Sequence, residues 1–124
     1  MELTYVNIML YVTGIFTIFP GILYFFPIQG PKRLLKIEPN DELSLMFVQH
    51  WGFLVSTLGV LIVYSVHAPE VRNTILIAAT VEKAAFVFLI IKNWQKDFAK
   101  GMRSAAVFDV ICVVLYILLV LEIT

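Results

Sequence analysis

Apolar residues fall into four long windows, at residues 4–26, 43–67, 74–94 and 104–123, separated by short polar stretches. Crossing a hydrocarbon layer takes about 20 mainly apolar residues at about 1.5 Å of rise each, and each window meets that length. The pattern predicts an all-α, integral membrane four-helix bundle occupying residues 1–124 as one domain. The connections, at about 27–42, 68–73 and 95–103, are short enough to make successive helices antiparallel neighbours in an up-down topology.

Within the windows, small and polar residues recur at helical spacing. In the first, Asn7, Gly14 and Gly21 step by seven, with Thr17 on a similar face, a stripe suited to close approach of a neighbouring helix. Pro20-Gly21 interrupts this window, and the lost backbone donor predicts a kink or an early end; a second reading makes that break a ligand portal. The second window carries two stripes: His50, Thr57 and Tyr64 on one, Gly52, Ser56 and Gly59 on the other. Asn40 or Asp41 suits its N-cap. The preceding connection, Gln29 to Pro39, holds Lys32, Arg33 and Lys36 among leucines, and reads as a solvated basic loop or a segment lying flat on the membrane surface. Pro69 fits the first turn of the third helix, with Ala68-Pro69-Glu70 as a tight reversal.

The windows also hold charge. Glu82 and Lys83 sit mid-way along the third, and Asp109 lies about 9 Å into the fourth. An ionised side chain at the bilayer centre costs roughly 2.5–3.5 kcal/mol on insertion scales, so each needs a partner or a function. Neighbours on a helix diverge by about 100°, which points Glu82 and Lys83 in different directions. Lys83 can reach Asp109 on an antiparallel helix. His50 is expected at similar depth, giving a candidate buried cluster of His50, Glu82, Lys83 and Asp109, with Thr57 and Tyr116 as further partners. Ala78 and Ala85 beside Glu82, and Ala79 and Phe86 beside Lys83, would let neighbouring helices come close. These residues are candidates for ligand binding or proton relay. The plainer alternative is an interhelical ion pair that only fixes register.

Composition adds the class: 60% of the residues are hydrophobic, more than a water-soluble domain of 124 residues can hide. Nine basic and nine acidic residues cancel, and no basic tract suggests nucleic acid. The basic residues are nonetheless sorted. Lys32, Arg33, Lys36, Lys92, Lys96, Lys100 and Arg103 fall on one side, Arg72 alone on the other. Positively charged connections stay cytoplasmic, so both termini, with Glu2 and Glu122, are expected on the non-cytoplasmic side of a bacterial inner (plasma) membrane. Tyr5, Tyr24 and Trp94 fall near the expected interfaces. Met1-Glu2-Leu3 lacks the basic start of a signal peptide, so the first window is expected to remain as a helix. Cys112 is the single cysteine and forms no intrachain disulfide. No metal-ligand spacing, phosphate-binding loop, dinucleotide fingerprint or nucleophile elbow is present, and neither cofactor nor metal is expected.

Three segments resemble the DoxX-like set of small four-helix membrane proteins: Phe47-Val48-Gln49-His50-Trp51-Gly52 with Gly59-Val60-Leu61, Pro69-Glu70-Val71-Arg72 ahead of the helix with Glu82-Lys83, and Asp109 before a Val/Leu/Tyr run. The likeness implies an accessory or scaffold role: some such proteins resemble accessory subunits of quinone-linked oxidoreductases, others chaperones or sterol-pathway scaffolds. Gln49-His50 stands where a basic residue is usual, and no catalytic residue carries over. Three functions follow as expectations. The first is a non-catalytic accessory or scaffold subunit, or a bundle that binds a lipid or quinone, with a larger membrane complex or a homo-oligomer as partner besides the bilayer. The second is a proton-coupled small-molecule transporter using Glu82. The third is a small membrane enzyme acting on a lipid, with His50, Glu82 or Asp109 as general acid or base.

Overall fold

A computed structural model describes residues 4–38 and 40–123, without the side chains of 122 and 123; Glu2, Pro39 and the Glu122 side chain lie outside the described residues. The described residues form helices and turns, with no strand among them. Helix α1 (Tyr5–Ile18) begins at Thr4, whose Oγ1 accepts from the Asn7 N–H at 3.2 Å. A 3-10 turn, Phe19–Gly21, separates it from the short α2 (Ile22–Phe25), so Pro20 breaks the first window as its missing donor requires. A π-helical turn, Pro31–Leu35, then leads to α3 (Glu42–His67). Asp41 caps α3 by accepting from the Ser44 N–H at 2.6 Å. The remaining helices are α4 (Pro69–Lys92), a single turn α5 (Asp97–Lys100) and α6 (Arg103–Ile123).

Helix α4 starts at Pro69, five residues before the boundary expected from hydropathy. Pro69 has no N–H to lose in the first turn, and Glu70 and Arg72 continue the helix without being apolar. Only Ala68 separates α3 from α4. Arg72 folds back across this junction to donate to the carbonyls of Ser65 and Val66 at 3.1 and 3.3 Å, groups the end of α3 leaves unpaired. Beside them the Tyr11 hydroxyl lies 2.5 Å from His67 Nε2.

The two expected small-residue stripes meet each other. Asn7, Gly14, Thr17 and Gly21 on the first window and Gly52 and Gly59 on α3 are all buried. A Cβ on Gly59 would stand 2.6 Å from the Ile18 nitrogen and 2.7 Å from the Gly14 carbonyl oxygen, so the two backbones touch. Further along, a Cβ on Gly21 would meet Ser56, and one on Gly52 the Pro20 carbonyl.

The bundle interior divides into two halves. Toward the α3–α4 junction it is a closed core of Leu10, Ile62, Val66, Leu76, Ala79 and Tyr116, with Cys112 buried beside them. Toward the basic connections a smaller cluster of Ile90, Ala99 and Ala106 is buried, and beside it lies the cavity described below. Outside, large apolar side chains cover all the long helices, among them Ile15 on α1, Leu54 on α3, Val81 and Phe88 on α4 and Ile111 on α6. Four segments, Tyr5–Phe25, Glu42–His67, Pro69–Lys92 and Arg103–Leu121, are long and apolar enough to cross a membrane.

The basic connection between α2 and α3 is not a plain solvated loop, because part of it packs into the bundle. Lys32, Arg33 and Lys36 are exposed, but Pro31 and Leu35 are buried. The Leu35 carbonyl packs directly on Gly101, where any side chain would overlap it. Lys36 takes a left-handed conformation (φ 55°) to turn the chain away again.

Candidate functional site

Helix α4 places two neighbouring charged side chains in different surroundings. Lys83 is 1% exposed. Its ammonium donates to Asp109 Oδ1 on α6 at 2.8 Å and to Thr17 Oγ1 on α1 at 3.1 Å. It also lies 5.1 Å from the centre of the Phe108 ring. One cation thereby ties α1, α4 and α6 together, and its charge is answered by Asp109. Glu82 takes no part in this. Its Oε1 is buried and makes no hydrogen bond.

A second chain of hydrogen bonds lies behind the pair, toward the closed core. Tyr116 donates its hydroxyl to Thr13 Oγ1 at 2.6 Å, and Thr13 donates to the Met9 carbonyl at 2.8 Å. Thr17 likewise donates to the Thr13 carbonyl, at 2.6 Å, which leaves its oxygen free to accept from Lys83. The two threonines on α1 therefore act as spacers between backbone carbonyls and the polar side chains of α4 and α6.

On the side of the basic connections, Glu82, Lys83 and Asp109 line a cavity of about 410 Å³. Small-molecule sites commonly measure about 300–1,000 Å³. Aromatic rings supply much of its wall: Phe16, Trp51, Phe86 and Phe108. Trp51 and Phe86 stack at 5.5 Å with their planes 23° apart, and Phe16 meets Phe108 at 5.8 Å. Pro20 and Leu23 form another wall where the first window breaks, while Leu34, Leu35 and Gly101 form the end beneath the basic connection. The break at Pro20 therefore does shape a cavity.

Of the six candidates read from sequence, Glu82, Lys83 and Asp109 come together at this cavity, and Tyr116 is buried in the hydrogen-bonded layer behind it. His50 and Thr57 do not join them. The His50 side chain is exposed, and so is Thr57, which donates to the Phe53 carbonyl of its own helix at 3.0 Å. Their stripe lies about 200° around α3 from the Gly52 and Gly59 stripe, which occupies the inward side. The alanines flanking Glu82 do not pack as expected either: Ala78 and Ala85 are exposed, whereas Ala79, beside Lys83, is buried. Thr13, Thr17 and Trp51 belong to the site as well, beyond those six candidates. The threonines' signal was their place next to the Gly14 and Gly21 stripe. Among the described residues no group of three His, Cys, Asp or Glu side chains could hold a metal ion.

No family model, curated protein or solved structure matches the chain.

Proposed function

We propose that the chain is an integral membrane protein, an antiparallel up-down four-helix bundle that binds a small amphipathic molecule of the lipid or quinone class without transforming it. The observation that carries this reading is the aromatic-walled cavity with a polar corner at Glu82, Lys83 and Asp109. Its lining offers an apolar body and a few convergent polar groups, the usual make-up of a ligand site. Lys83 and Asp109 are engaged with each other, which favours holding a ligand over the proton transfer that a general acid or base performs.

Contacts between helices support the topology. Residue 14 of α1 and residue 21 of the 3-10 turn that follows it approach residues 59 and 56 of α3, in reversed order. Along α6, Asp109 meets Lys83 of α4, while residues 117–121 sit beside residues 77–81. The exposed apolar side chains on every long helix support insertion, because a soluble monomer rarely exposes so continuous an apolar surface. The sorting of basic residues supports an orientation with the cavity in the cytoplasmic half and both termini on the opposite side. That same apolar exterior can pack against a larger membrane complex or a second copy, the accessory role implied by the DoxX-like resemblance; lipid covers it equally well.

Native mass spectrometry of the protein released gently from its own membrane tests the binding reading. The expected result is a discrete retained molecule, lost in Ala105→Phe, which puts a ring into the cavity wall. Release of protein free of any such molecule, or retention unchanged in the filled variant, contradicts it. A second reading, proton-coupled transport, draws on the unpartnered Glu82 carboxyl. It requires pH-driven uptake in liposomes that disappears in Glu82→Gln.

A further inference from the structure

The cavity's three charged side chains are not equivalent, and the difference bears on what enters. Lys83 directs its ammonium to Asp109 and Thr17, so this acid and base cancel within the protein. Glu82 remains. Its buried Oε1 has no donor within reach, although an acceptor shut away from water is costly until a donor meets it. Around it the cavity is lined by aromatic rings, the stacked Trp51 and Phe86 among them, and the quadrupole of such rings attracts a cation. A carboxyl without a partner, beside aromatic rings, next to an already neutralised ion pair, is a receptor for positive charge. Lys83 does not spoil it, because its charge is matched by Asp109 at 2.8 Å.

Resting on the binding reading above, we propose that the cavity's ligand carries a cationic amine or quaternary ammonium head, anchored by the Glu82 carboxylate and the Trp51 and Phe86 rings, with its apolar tail along Phe16, Leu23 and Phe108. A quinone, whose carbonyls only accept hydrogen bonds, would leave an ionised Glu82 without a donor.

The test uses the full chain in lipid nanodiscs and three probes that share a ten-carbon tail: decyltrimethylammonium, a decyl-substituted benzoquinone and decyl sulfate. Binding is read by calorimetry. The expected result is an affinity for the ammonium probe at least about tenfold above the other two, with that preference lost in Glu82→Gln. Glu82→Gln should keep its thermal transition, since no hydrogen bond within the fold depends on this side chain; that separates lost selectivity from lost folding. Equal binding of the three heads, a preference that survives Glu82→Gln, or binding of none of them overturns the cationic assignment. Ala105→Phe tells the two failures apart. If it abolishes binding of unselective probes, the cavity still binds amphiphiles and only the head-group assignment falls. If it leaves all binding unchanged, the cavity is not where they bind and both readings fall. Where no probe binds, the retained molecule in native mass spectrometry decides the binding reading separately.

Discussion

Lys83 and Asp109, 26 residues apart in the chain, meet at 2.8 Å across the α4–α6 interface, with the lysine side chain 2% and the aspartate side chain 13% exposed. The pair stands where the closed core gives way to the cavity, so it both fastens the helices and forms part of the cavity wall. Removing one partner leaves the other charge stranded in a low-dielectric site. Lys83→Met is therefore expected to lower stability by about 3–5 kcal/mol. Lys83→Met combined with Asp109→Leu should recover most of that loss. Thermal unfolding in a fixed detergent compares the three proteins, and a single variant as stable as the wild type would show that the pair fastens nothing.

The close approach of α1 and α3 gives a second prediction. Gly59→Ala places a methyl against the Ile18 nitrogen and the Gly14 carbonyl, both backbone groups that cannot rotate away. The helices must separate, at a cost of about 1–3 kcal/mol of overpacking. Val60→Ala, on the exposed side of the same helix, serves as the control and should change stability little. Equal behaviour of the two variants in a thermal scan would place the tight interface elsewhere.

That interface was readable from the sequence because helices this closely packed need small residues where their backbones touch, and Gly14, Gly21, Gly52 and Gly59 are spaced to supply them. The Lys83–Asp109 pair was readable for a related reason: an apolar window tolerates charge only when it is answered. What the sequence did not reveal was which face of α3 turns inward. A step of seven groups His50, Thr57 and Tyr64 as firmly as it groups Gly52 and Gly59. Both stripes cannot face one neighbour from positions about 200° apart. The glycines occupy the interface, and His50 goes outside. Thr17 falls in the packing stripe, and nothing in the sequence sets it against Lys83, because a hydroxyl bonded to its own helix carries no sign of a second partner. The cavity itself depends on how Leu34 and Leu35 tuck under the bundle onto Gly101, a contact between segments about 65 residues apart that no local pattern announces.

The cap on α3 predicts a pH dependence. Asp41 accepts from the Ser44 backbone N–H, and this holds its carboxyl below the ordinary value of 3.8. A depressed folded value means the contribution to stability is whole above the unfolded pKa and fades as pH falls through the folded one. Asp41→Asn can still cap, but its amide does not titrate in this range. The thermal transition of the wild type relative to Asp41→Asn should hold constant at neutral and mildly acidic pH, then drop below about pH 4. A difference that stays constant to pH 2.5 would show that the Asp41 charge contributes nothing.

Orientation is open to a direct check. With the buried Cys112 replaced by serine, single cysteines are introduced at Lys36 and at Glu70, both exposed and on opposite sides of the proposed membrane. A membrane-impermeant maleimide added to intact cells should label Glu70→Cys and spare Lys36→Cys until the cells are opened. The reverse pattern would invert the protein and move the cavity to the outer half.

The central claim, that a discrete molecule occupies the cavity, is tested most directly by photocrosslinking in the native membrane. A diazirine-bearing phenylalanine analogue replaces Phe108, which lines the cavity, or Phe88, which is 65% exposed on the outside of α4. Illumination should give one dominant adduct mass at position 108 and a broad mixture of bulk-lipid adducts at position 88. The same mixture at both positions, or only water addition at position 108, would contradict the account.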